Sequence, residues 1–141
     1  MFRRLDESIL VSPQISLDQL AEAAAGGVTL VINNRPDGED AGQPDGRAIA
    51  DAAARAGMAY LAIPVTHAGF SGNQVEAMVA ALDGATGPVL AYCRSGTRST
   101  LLWALARARM GDRPDDLAAK AAGAGYDLTP IRPMLDALAG R

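Results

Sequence analysis

The sequence has one cysteine and one histidine in 141 residues, and only 4% of its residues are aromatic. A single cysteine excludes an internal disulfide, an internal resolving thiol and a cysteine-based zinc cluster, so we predict no metal site and no cofactor. The first residues contain neither a long apolar segment nor a small-residue cleavage site. We therefore expect no signal peptide, no membrane span and, by default, a reducing cytoplasmic location.

Excess positive charge is also lacking. The net charge is −3 and the isoelectric point is near 5.0, which gives no electrostatic reason to expect nucleic acid or an anionic membrane as partner. Any anion site must then be built locally from specific groups. The length and the 49% hydrophobic content predict a single domain spanning residues 1–141.

Short β-type segments alternate with alanine-rich helical segments along the chain. Predicted strands cover 8–16 (edge-like, interrupted by Pro13), 28–34, 58–65 and 87–92. Predicted helices cover 17–25, 46–56, 72–83, 98–110, 114–125 and 129–140. Capping boxes at Ser16/Gln19 and Ser71/Gln74, and N-caps at Asp45 and Thr129, mark helix starts. This order predicts an α/β fold with a mostly parallel central sheet flanked by helices.

Three loops would then leave the carboxyl ends of strands, at 35–44, 66–70 and 93–98, where parallel sheets place their ligands. The third holds the cysteine, in the stretch AYCRSGTRST at 91–100. Gly96 allows backbone N–H groups to turn inward, the following helix start adds unpaired donors, and Arg98 adds a guanidinium. Ser99 is placed to donate a hydrogen bond to sulfur. These groups favour a reactive thiolate, Cys93, beneath an anion cradle; the alternative is a small buried side chain.

Cys93, Gly96, Arg98 and Ser99 resemble the signature loop of cysteine-dependent protein tyrosine phosphatases and their dual-specificity relatives. The segments NNRPDGEDAGQP, LAIPV, GPVLAYCRSGTRSTLLWALA and AAGAGYDL together resemble the phosphatase-like domain of the beta-lactamase hydrolase-like proteins, over nearly the whole chain. The resemblance implies a protein tyrosine phosphatase-like fold. Some members of that family are assigned as sulfur transferases.

The sequence departs from the phosphatase pattern in three ways. Four residues, not five, separate Cys93 from Arg98; Tyr92 replaces the usual preceding histidine; and the loop THAGFS contains no carboxylate to act as general acid. The shorter loop also resembles the active loop of rhodanese sulfurtransferases. The shorter loop would form a smaller anion site, which suits a persulfide. Sulfite leaves thiosulfate without needing a proton, so that reaction requires no general acid. We therefore predict a sulfurtransferase that carries sulfane sulfur on Cys93, with a tyrosine or dual-specificity phosphatase as the alternative and a non-catalytic anion or persulfide sensor as a third hypothesis.

The substrate is predicted to be a small anionic sulfur or phosphate compound. Predicted contacts to it, or to the residues around it, come from the following positions: Arg94, Ser95, Gly96, Thr97, His67, Asp37 and Arg35. His67 is a candidate acid or an incidental loop residue, and Asp37 is a candidate acid, a group that orients Arg98, or a simple turn aspartate. Tyr126 is expected to be a packing residue. Because some relatives carry a fused metal-dependent hydrolase domain, a separate persulfide-processing hydrolase is a candidate partner.

Overall fold

The computed structural model describes residues 2–140. Its elements are, in chain order, β1 (Arg3–Asp6), β2 (Ile9–Ser12), α1 (Leu17–Ala25), β3 (Leu30–Asn33), α2 (Gly46–Arg55), β4 (Ala59–Ala62), α3 (Gly72–Gly84), β5 (Val89–Tyr92), α4 (Thr97–Arg109), α5 (Pro114–Gly123), a 3₁₀ turn (Thr129–Ile131) and α6 (Arg132–Ala139). Among these residues no helix has the length and apolar content needed to cross a bilayer.

The strands form one five-stranded sheet in the order β1-β2-β5-β3-β4. β1 pairs antiparallel with β2, and the other three pairings are parallel, which confirms the mostly parallel sheet. All four residues of β5 are buried, as expected for a central strand with helices on both faces. The site at its carboxyl end is therefore flanked by β2 and β3.

Alternate residues of β5 point to two separate cores. Val89 and Ala91 belong to the larger core, which is formed with α3, α4, α5 and α6. Leu90 and Tyr92 belong to the smaller one, formed with α1 and α2. The fold is thus three layers, with α4 enclosed so completely that eight of its residues are buried.

The first strand region differs from the prediction. β1 was not expected, and it forms a hairpin with β2, so that β2 is an interior strand and β1 takes the edge. The polar composition of Arg3–Asp6 concealed this strand, because edge strands tolerate charged side chains. At the other edge, β4 is largely exposed and even Leu61 is 37% exposed.

Two predicted capping boxes are confirmed, at Ser16/Gln19 and Ser71/Gln74. Of the two other predicted N-caps, Asp45 has the predicted position without a side-chain bond, and Thr129 is wrong. Asp45 occupies the N-cap position of α2 but makes no side-chain bond there; Asp37 Oδ1 instead accepts the Gly46 N–H at 2.8 Å. Thr129 donates to Asp127 and begins a 3₁₀ turn, so the predicted helix 129–140 becomes that turn followed by α6.

Candidate active site

The cysteine loop connects the central strand β5 to the enclosed helix α4, as the sequence predicts. Cys93 directly follows β5, and its N–H donates to the Ser12 carbonyl at 3.3 Å. Gly96 is the N-cap of α4 with φ of 89°, a left-handed conformation that glycine adopts without steric cost. The chain therefore reverses within three residues and brings the start of α4 back over the sulfur.

Cys93 is completely buried, yet its sulfur is not in a purely apolar pocket. The Gly96 N–H donates to Cys93 Sγ at 3.1 Å. The pKa of Arg98 is raised mainly by hydrogen bonding to Glu39, and the neighbouring Cys93 sulfur acts in the same direction. One amide thus donates to the sulfur, and the Arg98 guanidinium lies near enough to interact with it electrostatically.

Arg98 is held in one orientation by two partners. Its Nη1 and Nη2 atoms donate to Glu39 Oε2 and Oε1 at 2.7 and 2.8 Å, a bidentate pair. Its Nη1 also donates to the Val65 carbonyl at 2.6 Å, just after β4. Because planar bidentate pairing fixes geometry as well as charge, the guanidinium is fixed in place before any substrate arrives.

Glu39 is shared by two arginines. Arg35 Nε donates to Glu39 Oε1 at 2.8 Å, and its two other nitrogens donate to Gln14 Oε1 at 3.0 Å and Asp40 Oδ2 at 2.5 Å. Arg35 is only 4% exposed. The hydrogen bond from Arg98, followed by that from Arg35, lowers the pKa of Glu39 to about 2 against the opposing effect of burial. Glu39 is therefore ionised at neutral pH and is no proton donor.

Neither Glu39 nor Gln14 is predicted from the sequence as a site residue. Glu39 lies 59 residues before Arg98 and stands in a polar loop that is typical of a solvated turn. The segment NNRPDGEDAGQP contains it, but the residues predicted from that segment are Arg35 and Asp37. The one rule that could have indicated Glu39 is that a buried arginine needs a carboxylate partner.

The outer rim of the loop is polar and open. Arg94, Ser95 and Thr97 are exposed, and Arg94 Nε lies 3.6 Å from Asp40 Oδ2. Thr97 N–H donates to Ser95 Oγ at 3.3 Å. Within residues 2–140, no backbone acceptor pairs with the N–H groups of Arg98 and Ser99. These donors at a helix start, with the guanidinium, can bind an oxyanion.

The bond predicted from Ser99 to sulfur is not formed. Ser99 is fully buried, and its Oγ has no hydrogen-bond partner among the described residues. Its backbone lies in the first turn of α4, as predicted, but no hydrogen bond joins its hydroxyl to the sulfur. The donor that the sequence assigned to Ser99 is supplied by the Gly96 amide instead.

Neither Asp37 nor His67 forms a hydrogen bond or an ion pair with Arg98 or Cys93. Asp37 caps α2, as described above, and Glu39 takes the role of orienting Arg98 that was considered for Asp37. His67 is exposed in the loop after β4. Among residues 2–140, the hydrogen bond between the segment after β4 and Arg98 is the one accepted by the Val65 carbonyl.

Tyr126 lies against the cysteine loop, where the sequence predicted only packing. Its hydroxyl donates to the Ser95 carbonyl at 3.1 Å. A Cβ atom at Gly96 would overlap the Tyr126 hydroxyl. No local pattern indicates this contact, because the two residues are 31 positions apart and meet only when α5 packs beside α4.

Comparison with known proteins supports the same architecture. Residues 1–110 match the sequence profile of the family described as beta-lactamase hydrolase-like protein, phosphatase-like domain. A beta-lactamase hydrolase-like protein of Xylella fastidiosa strain Temecula1 is 35% identical over 125 residues, which is 88% of this chain. The match spans only 29% of the length of that relative.

Solved structures show the same fold. A candidate phosphatase from Neisseria meningitidis superimposes with a TM-score of 0.84 at 36% identity, over 96% of both chains. The active form of Tk-PTP superimposes with a TM-score of 0.75 at 18% identity, over 99% of this chain and 97% of its own. The predicted protein tyrosine phosphatase-like α/β fold is confirmed.

Proposed function

The chain belongs to the phosphatase-like domain family of the beta-lactamase hydrolase-like proteins, and on that premise we propose that it is a cysteine-dependent phosphatase. The Cys93 thiolate attacks phosphorus, the ester oxygen leaves with its electron pair, and a phosphocysteine forms. Water then attacks the phosphocysteine, the S–P bond breaks, and inorganic phosphate and the thiolate are released. The loop sequence alone favours sulfur transfer, whereas we now rank phosphoryl transfer first and sulfur transfer second.

One observation carries the proposal: Arg98 is fixed by Glu39 and by the Val65 carbonyl beside the sulfur. A guanidinium held there can bind two phosphoryl oxygens and stabilise the charge that grows on them during transfer. The Gly96 N–H stabilises the sulfur as attacking and as leaving group. The likeness to the Neisseria candidate phosphatase supports the same chemistry.

The carboxylates near Cys93 limit the substrate class. Glu39, with a pKa of about 2, is paired with two arginines, and Asp40 is paired with Arg35. The loop 66–70 contains no carboxylate. With Glu39 and Asp40 both paired with arginines and no carboxylate in the loop 66–70, the reaction favours esters whose oxygen leaves readily, such as aryl phosphates, over alkyl phosphates.

Hydrolysis of p-nitrophenyl phosphate by the full chain tests the proposal. Cys93→Ser should abolish turnover, and Arg98→Lys should reduce kcat/KM by about 100-fold because a point charge replaces a bidentate fork. Mass spectrometry after rapid acid quenching should find one phosphoryl group on Cys93. Wild-type protein that releases no phosphate from any aryl ester would contradict the assignment.

Sulfur transfer is a second candidate, favoured by the four-residue spacing and the complete burial of the sulfur. The thiolate would attack the outer sulfur of thiosulfate, the S–S bond would break, and sulfite would leave with the electron pair. Cyanide would then remove the sulfur from the Cys93 persulfide as thiocyanate. Thiocyanate formation, together with a gain of one sulfur on Cys93 and no phosphate release, would establish this reaction instead.

A further inference from the structure

The peptide group between Ser95 and Gly96 is bonded at both ends. Its N–H donates to Cys93 Sγ at 3.1 Å, and its carbonyl accepts from the Tyr126 hydroxyl at 3.1 Å. We propose that Tyr126 is a positioning residue for the nucleophile: its hydroxyl holds and polarises this peptide so that the N–H points at the sulfur. The inference rests on the proposed role of Cys93 as the attacking group.

Two effects reach the sulfur through this single peptide. Hydrogen bonds at opposite ends of one amide strengthen each other by roughly 10–30% per bond, because each increases the dipole that the other uses. The Tyr126 bond also opposes rotation of the peptide. A rotated peptide would turn the Ser95 carbonyl, in place of the Gly96 N–H, toward the sulfur and would destabilise the thiolate.

Gly96 allows the Ser95–Gly96 peptide to rotate, so that Tyr126 is needed to hold it in place. With φ of 89° and no side chain, it imposes little resistance to a flip of the preceding peptide. The Tyr126 hydroxyl fills the space that a Cβ at position 96 would occupy. Tyr126 therefore restrains this peptide group from outside the loop, because Gly96 does not restrain it.

Tyr126 is itself anchored to two other elements. Its N–H donates to the Ala121 carbonyl in α5 at 2.9 Å, and the Arg3 guanidinium lies 5.6 Å from the ring centroid. Arg3 Nη1 also donates to the Ala124 carbonyl at 2.9 Å. Burial raises the pKa of Tyr126, and the nearby Cys93 adds to this against the effect of Arg3, so the hydroxyl remains a donor at neutral pH.

The test is the pH profile of alkylation of the full chain by iodoacetamide. Cys93 is the only cysteine, so the rate reports on this thiol alone. In Tyr126→Phe the midpoint of the profile should move up by about half a pH unit, which lowers the rate about threefold on the acid side. Tyr60→Phe is the matched control: it also removes a half-buried hydroxyl with a hydrogen-bond partner, Asn33, and its midpoint should not move.

A midpoint in Tyr126→Phe equal to that of wild-type protein would overturn the proposal. If near-ultraviolet circular dichroism shows that this variant is not folded, Arg3→Met decides, since it loosens the ring without removing the hydroxyl. Its midpoint should move in the same direction by a smaller amount, and no movement would overturn the proposal. Alkylation needs no turnover, so an absence of phosphatase activity in wild-type protein would defeat the proposed function without altering this result.

Discussion

The loop after β3 (residues 34–45) and the loop after β4 (residues 63–71) leave the same edge of the sheet but are held in different ways. In the first, the side chains of Arg35, Glu39 and Asp40 are all joined by hydrogen bonds, and Glu39 reaches Arg98. In the second, the contact with Arg98 is the Val65 carbonyl, and His67 is exposed. The β3 loop therefore supplies charge and orientation, whereas the β4 loop supplies a backbone acceptor.

This difference indicates where the chemistry is organised. A loop that provides a general acid needs a titratable side chain directed at the leaving group. The β4 loop carries none that is held in place, while Glu39 and Asp40 of the β3 loop hold two arginines. The molecule thus uses its nearby carboxylates to orient a cation rather than to transfer a proton.

The largest expected effect comes from removing the charge of Glu39, which joins the β3 loop to Arg98. Glu39→Gln keeps the shape of the side chain but replaces one acceptor oxygen by an NH2 group. Because this NH2 and the Arg98 nitrogen opposite it are both hydrogen-bond donors, the guanidinium loses its bidentate partner. We expect kcat/KM for p-nitrophenyl phosphate to fall about 100-fold, because misplacement of a binding group by about 1 Å has that cost.

Asp40→Asn is the matched control for this change. It removes the same charge from the same loop, but Asp40 is half-exposed and forms no ion pair or hydrogen bond with Arg98. Its kcat/KM should fall less than about threefold, in line with the small contribution of exposed ion pairs. Equal losses in the two variants would show that net charge, and not the orientation of Arg98, is what matters.

The Glu39 carboxylate should also make the stability of the fold depend on pH. Its pKa in the folded chain, about 2, lies below the ordinary value of 4.5. The stabilisation is therefore complete above about pH 4.5 and is lost as pH falls from there toward 2. Between pH 7 and pH 3 the wild-type chain should lose on the order of 1–2 kcal/mol more than Glu39→Gln, after allowance for solvent screening. Urea unfolding at both pH values measures this, and equal losses in the two chains would contradict it.

The elements of the fold could be predicted from sequence far better than the contacts between them. Periodicity and caps located α1 and α3, and the strand-to-helix junction located Cys93, Gly96 and Arg98. These features depend on neighbouring residues. The Glu39–Arg98 and Tyr126–Ser95 contacts join residues 59 and 31 positions apart, and they exist only because the topology brings three loops together. The same limit applies to Ser99 and Asp37, because residue type and spacing do not define which partner a side chain bonds: Ser99 makes no bond to sulfur, and the orienting role considered for Asp37 belongs to Glu39.

A smaller effect should separate Asp37, which bonds the start of α2, from Asp45, to which the sequence assigned that cap. Asp37→Ala removes the acceptor for the Gly46 N–H at the start of α2 and should cost about 1 kcal/mol of unfolding free energy. Its kcat/KM should stay within about twofold of wild type. Asp45→Ala, at the N-cap position without a side-chain bond, should cost less than about 0.5 kcal/mol. Chemical denaturation of the two variants measures both, and a larger loss in Asp45→Ala would show that the caps are wrongly assigned.

The smallest effect is expected in the β4 loop. The His67 side chain is exposed, and it forms no hydrogen bond within residues 2–140. His67→Ala should therefore change kcat/KM for an aryl phosphate by less than about twofold between pH 5 and pH 8, with an unaltered pH profile. A general acid contributes roughly 10²–10⁴-fold, so its removal would be plain in this assay. A loss of that size, or the disappearance of one limb of the pH profile, would mean that the β4 loop closes over the bound substrate and that the acid comes from the region that is less tightly held here.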